Sequence, residues 1–119
     1  MDGLTTTETA DVLSVLAGHI TGFDPAMISP QALHTTKAGI TDTIGVTLAG
    51  LPETCTQILL DTPGIADSNG PCLILGTGKR TSALDATLIN GTASHALDFD
   101  DFSDVLGGHQ SVPLVPVLF

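Results

Sequence analysis

Several stretches of this 119-residue chain carry apolar residues at helical spacing between recognisable start and stop signals, and that pattern most restricts its fold. From Thr7 to about Thr21, Val12, Leu13, Leu16 and Ile20 recur at this spacing, with acidic Glu8 and Asp11 near the end where a helix dipole favours negative charge. Ser29-Pro30 offers an N-cap and a first-turn proline for a second helix, along which Leu33, Ile40, Ile44 and Leu48 lie on one side before Gly50 closes it. Leu51-Pro52-Glu53 starts a shorter helix to about Asp61, ended by Thr62-Pro63-Gly64. A turn-rich loop, Asp67 to Pro71, precedes at most a short strand at Cys72 to Leu75. A final helix, capped by Thr81 or Ser82, is predicted to reach about Phe99. The expected fold class is all-α, a single helical domain over residues 1–119 with no sheet larger than a hairpin. With four Phe and neither Trp nor Tyr, its core must come from Leu, Ile, Val and Ala.

Charge narrows the partners. Lys37, Lys79 and Arg80 stand against thirteen acidic residues, a net charge of −10 that opposes nucleic acid and anionic membrane surfaces. No apolar run approaches the ~20 residues of a spanning helix, and the first twenty residues lack the basic start of a leader, so a cytoplasmic location is expected. Cys55 and Cys72 are too far apart for a C-x-x-C pair and are expected to be free, buried, small hydrophobes. Gly76-Thr77-Gly78-Lys79-Arg80 resembles a phosphate loop superficially, but Leu73 stands where that motif needs Gly and Arg80 where it needs Ser or Thr. Asn90-Gly91-Thr92 matches a glycosylation acceptor without an export signal to make it relevant.

The polar chemistry gathers between residues 90 and 113. On the final helix Leu84, Leu88, Gly91, His95, Asp98 and Phe102 follow at spacings of four and three, a stripe expected to begin in the core and finish at a polar pocket or surface. Asp98, Asp100, Asp101 and Asp104 crowd a predicted helix C-terminus, where the dipole and mutual repulsion disfavour them. Gly107-Gly108-His109 then forms a flexible turn presenting a second imidazole. Three readings follow from the residues: a solvated helix end with His95 bonded in the core; a divalent-metal site of His95, Asp98 and Asp101 on one face; or acid–base catalysis, with His109 exchanging a proton and a carboxylate orienting it or the substrate.

The stretch Asn90-Gly91-Thr92-Ala93-Ser94-His95-Ala96-Leu97-Asp98-Phe99-Asp100-Asp101, followed by Gly108-His109-Gln110-Ser111-Val112-Pro113, resembles the signature of the MmgE/PrpD family. Weaker similarity covers nearly the whole chain, including residues 42–50 and 76–82. That family includes 2-methylcitrate dehydratase, cis-aconitate decarboxylase and iminodisuccinate epimerase. The resemblance implies the N-terminal portion of a larger helical domain, in proteins that typically form homodimers. It also implies Asp98 and His109 as active-site residues, with no metal and no organic cofactor. The chain departs from the family pattern at Gln110, where Pro is usual, and at Phe102-Ser103-Asp104, where Thr and a further His are common, which bears on loop geometry and substrate choice.

The implied chemistry is proton transfer beside a carboxylate of a small polycarboxylic acid, with loss of water or carbon dioxide or return of the proton to the other face. Such a substrate needs cations, and three basic residues supply too few. The chain is therefore expected to be a truncated, inactive portion of a lyase, ending in an apolar segment (Leu114, Val115, Val117, Leu118, Phe119) without a partner. The alternatives are a non-catalytic helical remnant that self-associates through its apolar faces, and a fragment of an epimerase-type isomerase.

Overall fold

The structure, a computed structural model, describes residues 11–119. It is mainly helical, as the periodicity requires, and divides into two compact units, one ending at Leu33 and the other running from His34 to Phe119. No helix among the described residues is long and apolar enough to cross a membrane.

In the first unit, helix α1 covers Val12–Thr21, with Asp11 as its N-cap accepting a hydrogen bond from the Leu13 amide. The part of the expected helix from Thr7 to Ala10 lies outside the described residues. A 3-10 turn at Pro25–Met27 follows, capped by Asp24. Helix α2, Pro30–Gly50, starts where Ser29-Pro30 predicts: the Ser29 hydroxyl accepts from the Ala32 amide at 3.1 Å.

The second unit holds the rest of α2, then α3 (Thr54–Asp61), strands β1 (Cys72–Leu73) and β2 (Arg80–Thr81), α4 (Ala83–His95) and a final 3-10 turn at Val115–Leu118. The strands form one antiparallel hairpin, Cys72 opposite Thr81. Ala66, Ile74 and Ile89 make the core, with Leu59, Leu60 and Ile65 packed against it. Asn90 is fully buried; its amide oxygen accepts from the Leu75 N–H and its amide nitrogen donates to the Leu73 carbonyl, pinning α4 to the hairpin. Both ends of that amide serve the fold, which disposes of the glycosylation match.

Four expectations need correction. The buried side of α2 is Thr43, Thr47 and Gly50, whereas Leu33 and Leu48 are exposed. Thr43 and Thr47 donate their hydroxyls to the Gly39 and Thr43 carbonyls, so each turns a satisfied, compact side chain inward. A Cβ at Gly50 would overlap the Ala93 carbonyl, and the bare backbone lets α2 and α4 meet there. On α4 the buried residues are Ala86, Ile89, Asn90, Ala93 and Ser94; the stripe through Leu84 and Leu88 lies on the exposed side instead of starting in the core. Cys55, expected to be buried, is exposed, while Cys72 is half-buried. Of the apolar terminal segment, Val115 and Pro116 are buried beside α4, and the Phe119 carbonyl accepts from the Leu73 amide at 3.0 Å.

Candidate active site

Helix α4 is set at its start by a compact polar network. Ser82 caps it, accepting from the Asp85 amide, and the Ser68 and Ser82 hydroxyls donate to Asp85 Oδ2 at 2.6 and 2.5 Å. These bonds, Ser68 first, hold the Asp85 carboxyl below its ordinary pKa because they stabilise the charged form. Buried Thr81 ties the same corner down by donating to the Ile65 carbonyl.

At its other end α4 stops at His95, four residues before the predicted end, and this early stop makes the site. Ala96 caps the helix, and Asp98 takes a left-handed backbone with φ 54°. Asp tolerates that conformation better than most residues, though it is uncommon outside glycine and tends to be kept where structure demands it. The turn swings Asp100 back under the helix end. On a continuing helix, five residues would carry Asp100 about 140° around from His95. In the turn, His95 Nδ1 lies 3.0 Å from Asp100 Oδ1.

Asp100 is the centre of the cluster. Its side chain is wholly buried, with the half-exposed His95 on one side and His109 on the other, His109 Nδ1 lying 2.9 Å from Asp100 Oδ2. That second contact is short but poorly directed, and His109 Nδ1 has no aligned hydrogen-bond partner among the described residues. The ring's other nitrogen, Nε2, is 3.6 Å from Oδ1 of Asp98, whose side chain is 78% exposed. The imidazoles of His95 and His109 meet edge-on with centroids 4.7 Å apart, and Phe102 closes on His109 at 5.3 Å.

Asp98 and His109, the two residues singled out in the sequence, thus lie side by side, and His95 joins them. Asp101 does not belong to the cluster; the fourth potential ligand is Asp100, so the metal reading built on His95, Asp98 and Asp101 named the wrong carboxylate. Ligand atoms of His95, Asp98, Asp100 and His109 lie within 4.8 Å of one another. Asp101 instead accepts from the Ser111 amide and hydroxyl, and Asp104 is exposed. A helix continuing to Phe99 would carry Asp100 away from His95, and so the spacing does not point to Asp100. The available signal was the run of aspartates at a helix C-terminus, which opposes the dipole and argues for an earlier end.

The arrangement has a front and a back. A carboxylate behind an imidazole favours a proton on the near nitrogen and leaves the far one to accept, the pairing used in general acid–base catalysis. Here the buried Asp100 lies close to Nδ1 without an aligned hydrogen bond, so it acts on that nitrogen through its charge, and Nε2 faces the exposed Asp98. An apolar groove of 620 Å³, lined in part by Leu88, Thr92, His95, Val112 and Pro113, adjoins it. Among the described residues the ion pairs of Asp98 and Asp100 are with His95 and His109, and none is with Lys37, Lys79 or Arg80.

The description of the MmgE/PrpD N-terminal domain matches this chain over residues 14–119. No curated protein and no solved structure gives a significant match. The family match takes in both α4 and the loop carrying His109, nearly the full length of the sequence, and on that basis the chain belongs to the MmgE/PrpD family.

Proposed function

We propose that this chain supplies the acid–base half of a carboxylic-acid lyase site, in which His109 transfers a proton beside a carboxylate of a small di- or tricarboxylic acid, with loss of water or carbon dioxide. The supporting observation is the His109 ring held between buried Asp100 and exposed Asp98. Asp100 sets a buried negative charge beside Nδ1, Nε2 exchanges the proton, and Asp98 meets the substrate's hydroxyl or water at the mouth of the site. Abstracting such a proton leaves negative charge that fixed cations must stabilise. Among the described residues no Lys or Arg pairs with Asp98 or Asp100, so we take that charge to come from other residues of the working enzyme, which we take to be a homodimer.

The test is a chimaera in which residues 1–119 replace the N-terminal domain of an active family lyase, assayed with methylcitrate and cis-aconitate. His109→Ala should lower turnover by roughly a hundredfold or more, the usual scale for a proton-transfer group. Near-normal turnover would remove His109 from the mechanism. The 119-residue chain alone should be inactive; clean turnover by it, abolished by the same substitution, would refute the need for outside cations.

A second reading has its own observation. Val12, Leu13, Ile20, Met27, Leu84 and Val105 are all more than two-thirds exposed, as a self-associating helical protein without catalysis would require. Light scattering separates the two: a monomeric chain across the accessible concentration range would count against self-association.

A further inference from the structure

His109 sits in a loop that has little else to hold it. Between Asp101 and Ser111 the tip is open to solvent, with Val105 94% and Leu106 70% exposed, so apolar packing does not fix its shape. Polar bonds do, among them one from the Gln110 side-chain amide to the Gly108 carbonyl at 2.7 Å. Inside the loop, Ser103 and Gly108 form an isolated antiparallel bridge: the Ser103 amide donates to the Gly108 carbonyl at 3.0 Å and the Gly107 amide to the Ser103 carbonyl at 2.7 Å. Gly107 at φ 66° makes that reversal possible. At the base of the loop, Asp101 grips Ser111 with both oxygens, Oδ1 accepting from the amide at 3.0 Å and Oδ2 from the hydroxyl at 2.7 Å. His109 lies between the bridge and the clamp.

We infer that Asp101 is a positioning residue: by clamping Ser111 it closes the loop and holds the His109 ring against Asp98 and Asp100. A carboxylate accepting two bonds from one residue fixes direction as well as distance, and hydrogen bonds to a charged acceptor are among the stronger ones in proteins. Closing the loop also removes the freedom that would otherwise let the imidazole wander from a contact needing sub-ångström placement. That this serves proton transfer rests on the proposed function; the placement of the ring does not.

The experiment is NMR of the 119-residue chain, following nuclear Overhauser contacts from the His109 ring to Phe102 and to His95, with the methyl signals of Ile89 and Ala93 reporting on α4. Asp101→Ala should abolish the His109 contacts and leave the α4 methyls in place. Asp101→Asn should retain them, because the amide oxygen can accept from the Ser111 N–H while the amide nitrogen donates to the hydroxyl. Retention of the His109 contacts in Asp101→Ala would overturn the inference. If Asp101→Ala also disrupts the α4 methyl signals, Ser111→Ala decides: weakened His109 contacts support the clamp, and unchanged ones overturn it. The readout is independent of activity. A clamp that behaves as expected beside a chimaera indifferent to His109→Ala would leave the placement standing and remove the proton-transfer reading.

Discussion

Helix α1 carries Val12, Leu13, Val15, Leu16 and Ile20 in ten residues, yet none of its side chains is buried among the described residues. Helix α4 is more polar, and buries five positions, two of them Asn90 and Ser94. Apolar content alone therefore does not decide what is covered; a partner surface does. For α4 that partner is close, since Gly50 and Ala93 bring backbones together and the hairpin satisfies Asn90. For α1 its own unit supplies no such surface among the described residues.

The contrast can be broken by mutation. The largest effect should come from Ile89→Ala, which empties a fully buried site and should cost about 2–5 kcal/mol in denaturant unfolding. A cost near zero would mean that α4 is not the centre of the core. Asn90→Ala comes next, leaving the Leu75 N–H and Leu73 carbonyl without their partner, at about 1–3 kcal/mol by the same measurement.

Asp85 should show a smaller effect that depends on pH. Its folded pKa is depressed, so its linked stabilisation is complete above the unfolded carboxyl's pKa and is lost as the pH falls through the folded one. Asp85→Asn should therefore narrow its gap in Tm to the parent chain as the solution is acidified. A gap that is constant with pH would show that Ser68 and Ser82 serve the amide as well as the carboxylate. Smallest of all, Leu16→Ala on α1 should change stability by no more than about 0.5 kcal/mol. A markedly larger, concentration-dependent loss would show that α1 is buried in an assembly, which would sharpen the contrast into one between an internal core and an interface.

How much was legible follows from where the signals act. Ser29-Pro30, Gly50 and Ser82 are local signals, and the helices they bound appear where the residues place them. The pair Asp98 and His109 was accessible through a family signature, and the two side chains do approach one another. The face of α4 that is buried was not legible, because Leu84 and Leu88 are the stronger hydrophobes and yet it is Ala93 that fits the close approach to Gly50 and Ile89 that packs with Ala66 and Ile74.

The sequence by itself determined the helical class, most helix starts and the family, since caps, periodicity and a signature motif act within a few residues of one another. The tertiary structure decided which faces are covered and which carboxylate lies between the two imidazoles. Asp100 reaches His95 only because the helix stops early and Asp98 turns left-handed, and His109 reaches Asp100 only because the loop from Asp101 to Ser111 closes. Such contacts depend on the direction of a turn and the closure of a loop, and spacing along a chain carries neither.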